Sequence, residues 1–124
     1  MAVLAVYNDQ LLMAESSTSL TITSDPIAMG GANYVEVSTN VENLFNVGAA
    51  AGRLVMEVWE GNDGQNWNFS TGITHTYTTT EMVPVGGAVR SAFIRLQYKY
   101  DSTAGGAGDI TVVTFDCHAN LMHD

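Results

Sequence analysis

Strict alternation of apolar and polar residues, sustained over whole segments, most constrains what this chain can fold into. Between Asn33 and Glu42, Val35, Val37, Thr39 and Val41 alternate with Tyr34, Glu36, Ser38 and Asn40. From Ile110 to Leu121, Val113, Phe115, Cys117, Ala119 and Leu121 alternate with Thr114, Asp116, His118 and Asn120. Successive strand side chains point to opposite faces, so each segment is a strand with one face buried and one wet. No segment sustains a 3.6-residue period with helix caps.

The rest of the chain follows suit. Val3–Tyr7 and Leu11–Glu15 are short apolar segments split by the turn-prone pair Asn8-Asp9, and Leu20–Thr23 is a strand ended by Asp25-Pro26. Met29-Gly30-Gly31 reads as a loop, as does the glycine-flanked stretch 43–52. Thr74–Thr80 is a β-branched strand closed by Pro84 and Gly86-Gly87. Val89–Tyr100 reads as the longest strand, with Ala92, Ile94, Leu96, Tyr98 and Tyr100 on one face, before a glycine-rich turn over 102–108. The expectation is all-β: an antiparallel β-sandwich or jelly roll of about eight strands. Residues 1–19 form an N-terminal arm or an edge strand, and 20–124 a single β-sandwich domain. At 124 residues such a domain folds without staples.

The best hairpin signal is Arg53–Phe69. Leu54, Met56 and Val58 oppose Val55, Glu57 and Trp59, then Gly61-Asn62-Asp63-Gly64 leads to a short strand with Trp67 and Phe69. Asn62, Asp63 and Asn66 admit two readings, a calcium loop or a tight turn closed by Asx hydrogen bonds. The calcium-loop spacing is absent, which favours the turn. Trp59 and Trp67 either stack on sugar rings or pack as a cross-strand pair, and packing is favoured because large aromatics dominate burial.

Composition excludes several functions. Charged residues make up 14% of the chain against the usual ~25%, and net charge is −9 with only Arg53, Arg90, Arg95 and Lys99 positive. Four scattered cations give neither a nucleic-acid footprint nor attraction to an anionic membrane. The amino terminus lacks a signal-peptide pattern, and no apolar run approaches ~20 residues. Cys117 is a lone core cysteine without a base beside it. His75, His118, His123, Asp116 and Asp124 match no zinc spacing, so no metal and no cofactor is expected. With no nucleophile elbow or phosphate loop, no enzyme activity is expected either.

Glu60, Asp63, Gly64 and Trp67 form an E-x-x-D-G-x-x-W hairpin, and Phe93-Ile94-Arg95-Leu96 an aromatic–Ile–Arg strand. With the Ser24-Asp25-Pro26-Ile27 break and the closing Thr/Val/Phe strand, this order resembles that of small bacteriophage virion structural proteins, over about Leu20 to Leu121. The resemblance implies a non-enzymatic protein that decorates or cements a capsid shell across neighbouring subunits, its partner being the major capsid protein. The alternative is a tail or fibre component, or a carbohydrate-binding β-sandwich module using the Trp59/Trp67 hairpin. The resemblance further implies a virion location after synthesis in the host cytoplasm, and a homo-oligomer, with a trimer suggested only by the threefold points of shells. Expected contacts are Trp59, Asp63, Asn66 and Trp67 on the hairpin, and Val3, Leu4, Val6 and Tyr7 on the arm.

Overall fold

A computed structural model describes residues 2–15, 19–47, 51–104 and 110–123. Among these there are nine strands: β1 (Ala2–Glu15), β2 (Ser19–Thr23), β3 (Ile27–Ala28), β4 (Tyr34–Val47), β5 (Ala51–Gly61), β6 (Asn68–Tyr77), β7 (Met82–Ala88), β8 (Phe93–Ala104) and β9 (Ile110–Met122). One sheet has the order β1-β9-β4-β7 and the other β2-β8-β5-β6, with β3 added against β8. The antiparallel pairs nest along the chain: β5 with β6, β4 with β7, β2 with β8, β1 with β9. Successive nested pairs fall in alternate sheets, so one long folded-back ribbon wraps around the core. That wrapping is the jelly roll, the second of the two all-β forms expected.

The alternation places the core as read. Val35, Val37, Thr39 and Val41 of β4 face Leu54, Met56 and Val58 of β5 and Ile94, Leu96, Tyr98 and Tyr100 of β8 across the sandwich. Val113, Phe115, Cys117 and Ala119 of β9 complete it, all fully buried. Burying one such aliphatic or aromatic side chain contributes roughly 1.5–3 kcal/mol before the entropy of ordering it.

Several boundaries differ from the sequence reading. Asn8-Asp9 does not divide two segments: β1 runs through it, and the pair bulges opposite Asp116, with Asp9 at φ 48°. Asp tolerates that conformation, and its N–H is caught by Asp116 Oδ1 at 2.6 Å. Pro84 and Gly86-Gly87 do not close a strand but lie inside β7. That strand is an edge, where alternate N–H groups point away from the sheet, and Gly87 leaves room for Ile73 of β6. Val89 belongs to a loop, its N–H bonded to Asn33 O at 2.9 Å, so β8 starts at Phe93 and extends to Ala104. The longest strands are β1 and β4, at 14 residues each. Trp67 precedes β6, which carries Phe69 and the Thr74–Tyr77 stretch in one strand. The loop read over 43–52 is mostly strand, β4 reaching Val47 and β5 starting at Ala51, while 48–50 lie outside the described residues. So do 105–109 of the glycine-rich turn.

Candidate functional site

β5 delivers the hairpin tip at one end of the sandwich. Asp63 Oδ1 accepts the N–H groups of Gln65 (2.9 Å) and Asn66 (2.8 Å), and its Oδ2 accepts Asn66 Nδ2 at 2.6 Å. These bonds, that from the Asn66 N–H foremost, hold the carboxyl down at about 2. Asp63 and Asn66 therefore act on each other, and the Asx turn is the structure they build. Gly64 follows at φ 73°, a conformation that other L-residues adopt at a cost.

Glu60 and Asn62 fasten this tip to the loop before β8. Glu60 accepts hydrogen bonds from Ser70 Oγ, from Ser91 Oγ at 3.0 Å and from Arg90 N–H at 3.2 Å, and Asn62 Oδ1 accepts Ala92 N–H at 3.0 Å. Partial burial works to raise the Glu60 pKa. The three donors and the Arg90 charge outweigh it, and the net shift is downward. A carboxyl lowered on folding stabilises above its unfolded pKa and loses that contribution as pH falls through its folded one. Glu60→Ala is therefore expected to cost about 1 kcal/mol at neutral pH, a value discounted for solvent screening. In thermal melts the gap from the parent should narrow as pH drops below the ordinary carboxylate range.

Trp59 and Trp67 are both half-buried on the outward side of the β2-β8-β5-β6 sheet. Trp59 packs on Phe69 with ring centroids 5.5 Å apart, and its indole N–H reaches Glu57 Oε1 at 3.3 Å. The Arg95 guanidinium covers the Trp67 ring at 4.8 Å, and Lys99 pairs with Glu57 at 3.2 Å. The tryptophans thus stand in one row of rings and charges whose most open ring is Phe69, 36% exposed.

The expected arm residues divide by position on β1. Val3 and Leu4 are exposed, whereas Val6 and Tyr7 are half-buried. The Tyr7 ring meets Tyr98 at 5.6 Å and Phe115 at 5.8 Å, both edge-on, which places it at the sandwich core. Leu4–Tyr7 and Thr23–Ile27 border a groove of about 420 Å³ along the open side between the sheets.

The histidines do not converge. His75 on β6 pairs with Glu81 at 3.5 Å and packs on Tyr77, while His118 stands exposed on β9 in the other sheet and His123 follows its end. Asp124 lies outside the described residues. Asp116 instead meets Asp9 and Glu42, the three offering oxygens within 4.8 Å of one another. The Asp116 carboxyl beside Glu42 raises the Glu42 pKa, while Asp116, bonded first by the Asp9 N–H, has its own lowered. Sequence reasoning missed this trio because it spans 107 residues and exists only through the β1–β9–β4 register.

No protein-family model matches the chain, and no curated protein sequence does either. Solved structures match its fold. The PBSX exported protein XepA aligns over 99% of this chain with a TM-score of 0.63 at 6% identity. T=1 particles derived from infectious bursal virus align over 98% with a TM-score of 0.61 at 12% identity. Infectious bursal disease virus of the Gt strain aligns over 98% with 0.56 at 15% identity. The chain spans about a third of the length of each of these, covering 37%, 31% and 32% of them respectively. At such identities the likeness establishes a shared β-fold, one that viral particle proteins use.

Proposed function

We propose that this chain is a non-enzymatic virion structural protein that decorates or cements a phage capsid shell by binding across neighbouring capsid subunits, as a homo-oligomer. The observation that carries the reading is the jelly roll itself, aligned over nearly the whole chain with a fold found in virus-derived particles. The E-x-x-D-G-x-x-W hairpin and the Phe93-Ile94-Arg95 strand, which resemble phage virion proteins, point the same way. Cementing needs a rigid β-core and many modest contacts that add through multivalency.

The test mixes the full chain with shells assembled from the major capsid protein encoded in the same genome and separates them on a density gradient. Comigration at a fixed ratio to shell subunits is expected. A chain left at the top of the gradient overturns the reading. The exposed β1 residues are the arm contacts to vary, because Tyr7 and Leu12 of the same strand pack into the sandwich and deleting the strand would unfold it. Val3→Asp with Leu4→Ser leaves the core intact and is expected to lower occupancy.

The open Trp59–Phe69 pair favours a second reading, sugar stacking on the hairpin face. Glycan-array binding that is lost in folded Trp59→Ala and Trp67→Ala variants would move the assignment there.

A further inference from the structure

The outward face of the β1-β9-β4-β7 sheet breaks the rule that its wet side should be polar. Met13 of β1 and Phe45 of β4 both pair with Val112 of β9, making an apolar row across three strands. Leu11 stands in the next row, opposite Thr114. Leu11, Met13 and Phe45 are 52%, 50% and 51% exposed. Single exposed apolar residues are ordinary, but neighbours in register form a continuous patch, which is the mark of a contact surface. Val3 and Met82 stand exposed elsewhere on the same face.

Apart from the titratable imidazole of His118, the charge on this face has one sign. No Lys or Arg occurs in β1, β4, β7 or β9, whereas Asp9, Glu42 and Asp116 gather beside the apolar rows. All four cations of the chain lie on β5, β8 and the loop between β7 and β8. Lys99 is engaged by Glu57 and Arg95 by Trp67. A second copy would set a net charge of −9 against −9 and bring no cation from this face. Two copies meeting through this face would therefore repel, which favours another protein as the complement.

We infer that this face docks a basic partner protein, whose aliphatic side chains cover the Met13–Val112–Phe45 row while its Lys or Arg side chains meet Asp9, Glu42 and Asp116. The inference rests on the face itself and stands whether or not that partner is a shell subunit. The apolar row supplies contact area, and the carboxylates supply register and a salt-dependent encounter.

The test titrates the isotope-labelled full chain with a synthetic twelve-residue peptide of alternating Val and Lys, followed by amide NMR shifts. Saturable shifts clustered on 11–13, 43–45 and 112–116 are expected, and a Val/Glu peptide should produce none. Phe45→Ser and Glu42→Gln, both at exposed positions, should each weaken binding about fivefold without lowering the melting temperature. Shifts confined to the Trp59 and Trp67 side, or no saturable shifts, overturn the inference. So does a concentration-dependent dimer in sedimentation that Phe45→Ser abolishes, because the face would then belong to a second copy.

Discussion

Tyr98→Ala is expected to cost about 3–5 kcal/mol, the range for removing a large buried ring, and to lower the melting temperature by well over about 10 °C. The side chain is fully buried, and its ring lies 4.6 Å from that of Phe115 and 5.6 Å from that of Tyr7. It therefore ties β8 of one sheet to β9 and β1 of the other. Its hydroxyl adds a second tie, a 2.6 Å hydrogen bond with Thr39 of β4, also fully buried. Burial pushes the Tyr98 pKa well up and that of neighbouring Cys117 to about 11, so this cluster stays neutral at physiological pH.

The polar tie can be separated from the packing. Tyr98→Phe keeps the ring but removes the 2.6 Å partner of Thr39 Oγ, at a cost of about 1–3 kcal/mol. Thr39→Val removes the phenol's partner instead. The double variant removes both partners and should recover most of the loss, because no buried polar group is left unmatched. If the double variant is as unstable as the sum of the singles, the hydrogen bond is not what couples these residues. The cluster bears on function because Phe115 and Thr39 lie directly beneath the acidic and apolar surface of the β1-β9-β4-β7 sheet. A loosened Tyr98 would let that surface lose its register.

The alternation of β4 and β9 was legible because both strands bury one complete face, and a one-residue slip would expose every core side chain. Edge strands carry no such pressure. β7, with Val83 and Val85 half-buried around Pro84, looks like a loop because an edge tolerates a proline that a central strand does not. The Asn8-Asp9 bulge has the composition of a turn, and only Asp116, 107 residues away, decides between them. The site divides in the same way. Asp63 closes its turn through residues two and three positions on, so spacing revealed it, whereas the partners of Glu60 lie 10 to 31 residues away. One trace of the docking face was present in the sequence: Leu11-Leu12-Met13 is apolar on both phases of the alternation, although only Leu12 is buried.

Gly61→Ala is expected to cost about 3 kcal/mol, at the upper end for overpacking, and to disturb the hairpin face more than any other change in the turn. A Cβ at Gly61 would collide with the carbonyl oxygen of Asn66 and come within 3.5 Å of Trp67 Cε3. The carbonyl has little room to yield, because the N–H and side chain of Asn66 are both bonded to Asp63. On the other side, Glu60 and Asn62 anchor the flanking backbone to residues 90–92. Relief must come from breaking the turn or from lifting Trp67 off Arg95, so tryptophan fluorescence should report a more solvated indole even where the variant stays folded. Gly64→Ala is the control: nothing lies within 4 Å of its Cβ position, and only the φ of 73° is strained, at a cost of about 1 kcal/mol. Equal losses from the two substitutions would mean that backbone conformation, not the close approach of the Asn66 carbonyl, fixes the tip. A larger loss at Gly61, with the fluorescence change confined to it, would show that one missing methyl group holds the tip, Trp67 and Arg95 in a single arrangement.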